Sequence, residues 1–452
     1  MLNELARWLS SLMTLSGKKM TKKTLLFATV ILAVAVSSVF VSRELQGWGT
    51  QQSSVVSQSR EKPQSLTFLS VNKKKIVDEQ GTEIKLRGFH YDCFYVFRKD
   101  IYDSIKSNNN DPEQFNIKLM EYYFTEKDIN EVKTTGANVV RIGFRLWEIE
   151  KSPYSYSESA LEHLDKIIAR WGGNGIYVIL DLHAAGQNSM DHNKEYGNII
   201  WDDKDFQGRV IALWGLIASR YKNNKYVAGY DIINEPQAPN INALNSFYKK
   251  TIEKIRETDK KHILFIELNL YNTTEILFGG EYNDDNIAFS VHFYEPHKFT
   301  NQGMRDKTTG YVYPDEYNGV YWDKNHINAY FDNVLARTNG KPLFVGEFSA
   351  GVRNGGEYAL QWIRDVIDVF NSNGIHYTFF QYKSVMPDTF GYYSPGEEAF
   401  EKIRILQQAV KYNGKVFNEF TEEEKSLLLT ENFQSPPGLR NILIQAFRTT
   451  PK

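Results

Sequence analysis

Two glutamates stand in settings that suit acid–base chemistry. Glu235 follows Asn234 and precedes Pro236 at the end of the run VAGYDIINEP, and Glu347 interrupts the apolar run PLFVGEFS. Two carboxyls brought together can cleave a glycosidic bond, because one can give a proton to the leaving oxygen while the other attacks or stabilises the developing oxocarbenium carbon. Other polar residues close apolar runs in the same manner. Asp181-Leu182-His183 ends IYVILDLH, and His292-Phe293-Tyr294 ends IAFSVHFY. Arg141 lies inside ANVVRIGF, where an unpaired charge would be expensive, so a carboxylate partner is implied. Asn234 suits a sugar hydroxyl, while Arg141 and Tyr294 suit holding Glu347 ionised. Either glutamate alone would pass for a solvated strand end; the recurrence of polar residues at the ends of successive runs is what favours a site.

The elements that must position these residues recur with one rhythm. Short runs rich in β-branched and aromatic residues begin at Ile84, Ala137, Ile176, Val227, His262, Ile287, Pro342 and His376, and segments with helical spacing separate them. Most runs are nearly continuous rather than alternating, as expected of parallel strands covered on both faces. Eight βα units in order predict a (β/α)8 TIM barrel, in which chemistry sits at the C-terminal strand ends. The rival is a doubly wound sheet, but no glycine-rich phosphate turn follows the first strand. Ahead of the barrel, LTFLSVNKKKIVDEQGTEI reads as a β-hairpin cap with its turn near Asp78 to Gly81. The tail after Tyr412, with Thr421 three residues before Glu424 and a break at Ser435 to Gly438, reads as two small helices.

Length and composition bound the rest. A chain of 452 residues with 42% hydrophobic and 24% charged residues suits a large soluble core. Lys plus Arg number 53 against 55 Asp plus Glu, so no basic excess points to nucleic acid. Cys93 is the single cysteine, which excludes an intramolecular disulfide. Residues 24–42 carry no charge and follow Lys22 and Lys23, so residues 1–42 read as a signal peptide or an N-terminal membrane anchor, translated from Met1 or Met20. Export follows from either, with attachment to a membrane through residues 24–41 if the segment is retained. Residues 43–65 read as a flexible linker, 66–412 as the catalytic barrel and 413–452 as a helical extension, in a monomer.

GANVVRIGF, YVILDLH, VAGYDIINEP, SVHFY and PLFVGEFS, in this order, resemble glycoside hydrolase family 5, the cellulase-like retaining β-glycosidases of clan A. The resemblance spans about residues 66–410. It implies Glu235 as acid/base, Glu347 as nucleophile, and Arg141, His183, Asn234, His292 and Tyr294 as the surrounding shell, with a β-linked glucan as substrate and no cofactor. One position departs. The family usually places a Trp on strand eight, two residues before a Tyr-Lys pair, as a stacking floor for the sugar; here it is Phe380, which implies an altered substrate preference.

Tyr311, Tyr313, Tyr317, Tyr321 and Trp322 after strand six, and Gln187, Asn188, Asp191, His192 and Trp201 after strand three, read equally as sugar contacts or as loop packing. No HxH or HExxH spacing supports a metal at His183 and His192. Other readings of the same barrel are an enzyme for a glycolipid head group, a β-1,3-glucan or a mannan, and a catalytically silent carbohydrate-binding barrel. Asn272-Thr273-Thr274 is a glycosylation acceptor in a eukaryotic secretory path.

Overall fold

The computed structural model describes residues 65–91, 99–186, 198–269, 282–304, 308–386, 390–436 and 438–449. The N-terminal apolar run, the linker, Cys93, the Asn272 acceptor and most of the loop after strand three lie outside them. Eight parallel strands close a barrel: β1 (Arg87–Tyr91), β2 (Val139–Arg145), β3 (Tyr177–Ala184), β4 (Val227–Asp231), β5 (Ile263–Glu267), β6 (Ile287–Phe293), β7 (Leu343–Phe348) and β8 (His376–Phe379). Each pairs in parallel with its sequence neighbours, and β8 closes on β1 through Tyr377 opposite Arg87. The near-continuous apolar runs are explained by burial on both faces: β2 and β3 pack inward on the barrel and outward on helices such as Glu158–Gly173 and Lys204–Tyr221.

The helices begin where the sequence supplies caps. Ser157 accepts from Ala160 N–H, Asp203 from Asp205 and Phe206 N–H, and Asn240 from Ala243 N–H. The long helix Val352–Ser372 ends at Gly374, whose φ of +69° is a conformation glycine takes at little cost. The helix expected between β5 and β6 falls mainly in residues 270–281, outside those described.

The opening segment reverses at Asp78 to Gly81 as the sequence predicts, with Val77 bridging Glu83, and it reverses once more just before that. Ser70–Asn72 pairs with Lys75–Val77, so the chain reverses at Lys73-Lys74, with Lys73 at φ +55°. Asp78 to Gly81 forms a second turn, held by Asp78 Oδ1 accepting from Gln80 and Thr82 N–H. The charged lysines conceal the reversal because they lack the Gly or Asn signature of such turns. The hairpin covers the N-terminal mouth of the barrel. Its Leu69 and Ile76 join Val139, Tyr177, Ile263, Ala288 and Phe344 from the strand starts in one buried cluster.

The C-terminal segment holds two short 3-10 turns as well as the helices Glu422–Ser426 and Leu439–Arg448. It packs on the barrel through Phe447, whose ring lies edge-on 5.2 Å from Phe89.

Candidate active site

Arg141 is the hub of the C-terminal mouth. It is fully buried, and its planar fork reaches five strands at once. Nε donates to Asp231 Oδ2 at 2.9 Å; one terminal nitrogen meets His90 Nδ1 at 3.1 Å and Glu347 Oε1 at 3.0 Å; the other donates to Asn234 Oδ1 and Glu267 Oε1, both at 2.9 Å, and lies 3.1 Å from Asp181 Oδ1. The one carboxylate partner that burial demanded is therefore four. A point-charge ammonium could not serve this geometry. Gly346 makes room for it: a Cβ there would lie 3.0 Å from His292 Nε2 and 3.3 Å from Arg141 Nε.

Glu347, from β7, is held by Arg141 and by Tyr294, whose hydroxyl donates to Oε2 at 2.7 Å. Burial alone pushes its carboxyl up, but His292, Arg141, His90 and His183 outweigh burial and hold it well below the usual carboxylate range. Glu347 is thus held as an anion between a guanidinium and a phenol.

Glu235 lies just past the hydrogen-bonded end of β4, at φ +44°. Its amide donates to Glu267 Oε2 at 2.7 Å, and its Oε1 meets His292 Nδ1 at 2.9 Å. Its side chain is more open than that of Glu347, at 18% against 6%. Oxygens of the two glutamates lie within 4.8 Å of each other. His292 bridges them: Nδ1 is 3.6 Å from Glu347 Oε2, and Nε2 is 3.2 Å from Glu267 Oε1 in ion-pair contact. Burial lowers the affinity of this imidazole for its second proton, yet Glu267 and Glu347 reverse the effect and hold it well above the usual histidine range.

His183 turns Nδ1 to Asp181 Oδ2 at 2.8 Å and sits 4.0 Å from Glu347 Oε1. The Phe380 ring is nearly buried, tilted against His90 at a centroid distance of 4.9 Å and edge-on to Tyr294 at 6.4 Å; its peptide to Gln381 is cis. All eight residues singled out in the sequence, Arg141, His183, Asn234, Glu235, His292, Tyr294, Glu347 and Phe380, therefore meet at one mouth of the barrel.

Three further side chains of the site, His90, Asp231 and Glu267, escape the sequence reading. The signal was present: each is a polar residue at or near the end of an apolar run, in GFHY, VAGYD and HILFIEL. The loop aromatics divide the other way. Tyr313, Tyr317 and Trp322 are buried around the hairpin Asp315–Tyr317/Val320–Trp322, with Tyr313 and Tyr317 against Phe299, so they are packing residues. Trp201 packs edge-on against Phe247. Tyr321 is exposed, and Gln187, Asn188, Asp191 and His192 lie outside the described residues.

Among the described residues, three close-set trios could in principle ligate a metal: His90–His183–Glu347, Glu235–His292–Glu347 and Asp181–Asp231–Glu267. Each already faces a cation of the chain itself. Arg141 sits among the acidic trio and against His90 and Glu347, and the ring of His292 turns both nitrogens to carboxylates. The donor set therefore suits proton transfer between organic groups.

Comparison with known proteins agrees with this geometry. The family described as Cellulase (glycosyl hydrolase family 5) matches residues 77–385. A β-xylosidase of Phanerodontia chrysosporium is 28% identical over 71% of this chain and 71% of its own length. Endoglucanase C of Acetivibrio thermocellus is 25% identical, over 60% of this chain and 87% of its own. The barrel itself is shared with endoglucanase Cel5A of Thermotoga maritima, at a TM-score of 0.54 and 20% identity, covering 68% of this chain and 91% of that one; that protein has been solved with mannotriose and with cellobiose. By the family match over most of the barrel, the chain belongs to glycosyl hydrolase family 5 and is a glycosidase that hydrolyses O-glycosyl bonds.

Proposed function

We propose that the enzyme cleaves a β-linked glucan or related β-linked oligosaccharide by double displacement, with Glu347 as nucleophile and Glu235 as acid/base. The observation that carries this reading is that one oxygen of each carboxyl comes within 4.8 Å of the other, a close pairing across the barrel mouth. Inversion needs roughly 6.5–9.5 Å to seat a water between sugar and base, whereas retention needs about 5–5.5 Å. In the first step Glu347 attacks the anomeric carbon as the bond to the leaving oxygen breaks, and Glu235 gives that oxygen its proton. In the second, Glu235 takes a proton from water, which displaces Glu347 from the sugar. His183, Asn234 and Phe380 line the mouth where the sugar is held. The β-xylosidase and endoglucanase relatives favour a β-linked pyranose; screening defined β-linked oligosaccharides would fix the sugar and linkage.

The two glutamates are expected to fail differently. Glu347→Ala removes the attacking group, so every substrate should lose activity by several orders of magnitude. Glu235→Ala should still form the glycosyl-enzyme from an aryl glycoside whose leaving group departs as a stable anion, and then stall. Added azide, which needs no base, should restore its turnover and yield the β-azide. Swapped phenotypes would exchange the roles, and two near-normal variants would defeat the assignment.

We also propose that the monomeric enzyme is exported, free or tethered through residues 24–41. The support is the uncharged apolar run behind Lys22 and Lys23; among the described residues, no helix is long and apolar enough to cross a membrane. Fractionation of cells expressing the full chain should find it outside the cytosol, and recovery in the cytosol alone would refute export.

A further inference from the structure

We propose that Glu267 is a positioning residue of the hydrolytic step, holding the main chain of Glu235 and the ring of His292 in the geometry from which Glu235 passes its proton to the leaving oxygen. A glutamate at a strand end is ordinarily solvated, but Glu267 is 4% exposed and both its oxygens are engaged. Oε2 accepts the Glu235 N–H at 2.7 Å; Oε1 accepts from Arg141 at 2.9 Å and lies 3.2 Å from His292 Nε2. Its own carbonyl is fixed by the Tyr248 hydroxyl at 2.9 Å. Glu235 adopts φ +44°, a conformation that a residue with a side chain keeps only where its surroundings impose it. The charge-assisted bond from its amide to Glu267 supplies such a constraint.

The same carboxylate orients His292. With Nε2 turned to Glu267, Nδ1 must face Glu235 Oε1. The charged groups facing this ring are Glu235 just past β4, Glu267 from β5 and Glu347 from β7, the last also bound by the Tyr294 hydroxyl; Arg141 from β2 joins Glu267 and Glu347 and reaches Asp231 of β4. Asp181 and His183 of β3 and His90 of β1 belong to the same network. The negative charge on Glu267 favours keeping the second proton on His292, so removing that charge lets the proton leave at lower pH. Nothing in this arrangement brings Glu267 to the reacting atoms; it acts through Glu235, and the inference therefore rests on Glu235 being the acid/base.

The test compares Glu267→Gln, Glu267→Asp and Glu235→Ala in the full chain, using kcat/KM across aryl β-glycosides from dinitrophenyl to phenyl leaving groups. Glu267→Gln is expected to lose about 10²-fold on the poorest leaving group and under about tenfold on the best, the signature of impaired proton donation. Its alkaline limb should move to lower pH, and Glu267→Asp should restore part of both effects. A loss equal across leaving groups, with an unmoved alkaline limb, would overturn the proposal and leave Glu267 a purely structural residue. Steep dependence in Glu235→Ala with a flat response in Glu267→Gln would overturn it too, whereas a flat response in Glu235→Ala would remove the acid/base reading beneath it. Should Glu267→Gln lack a folded circular-dichroism spectrum, the Asp variant carries the same comparison.

Discussion

At the scale of residues, the chemistry is set by how charges are shared rather than by any single side chain. Arg141 shows why part of this was legible: a buried guanidinium inside an apolar strand demands carboxylates, and the demand can be read without coordinates. Glu347 is one legible answer; Asp231 and Glu267 are not, because they lie 90 and 126 residues away in sequence and meet Arg141 only through barrel closure. Phe380 is the residue whose consequence is most specific to this chain. Its ring rests against His90 and edge-on to Tyr294 and Phe390. A larger indole would extend the floor without adding charge, with Phe390 yielding to admit it. Phe380→Trp is expected to stay folded and to change the ratio of kcat/KM between gluco- and xylo-configured aryl glycosides. A variant that no longer folds would make Phe380 a packing residue instead.

At the scale of elements, the recurrence of nearly continuous apolar runs gives away the eight strands, while the Lys73-Lys74 reversal is hidden by its charged residues. The least legible feature is Lys383, in the chain just after β8. It is 1% exposed, with Nζ donating to Tyr123 O at 2.7 Å and Leu428 O at 2.6 Å and lying over the Tyr123 and Phe433 rings. It ties the C-terminal segment to the helix Pro112–Tyr123, a role that no local pattern announces. Burial lowers its pKa from 10.5 to about 7, against the opposing pull of Asp128 and Glu431. Between those values the unfolded chain binds a proton that the folded chain does not, so stability rises as pH goes from about 7 toward 10.5, by up to about 1.4 kcal/mol per unit. Lys383→Met has no such proton. The melting temperature of the wild type relative to this variant should therefore climb between pH 7 and pH 9.5, and parallel pH profiles would show that Lys383 stays charged when buried.

At the scale of the whole molecule, barrel closure turns distant glutamates into a pair. β4 and β7 are not neighbours in the sheet, and Glu235 and Glu347 meet because both chains end at the same mouth. Strand order and the polar strand ends made this architecture readable in sequence; the separation of the carboxyls, which decides the stereochemical course, depends on barrel diameter and on the turn after β4 and was not. The most direct measurement is proton NMR of hydrolysis in progress, observed before mutarotation. Double displacement through Glu347 predicts that the first-formed sugar carries the β-anomeric signal, with the α-anomer growing in only as mutarotation proceeds. An α-anomer appearing first would mean single displacement by water and would contradict a nucleophilic Glu347.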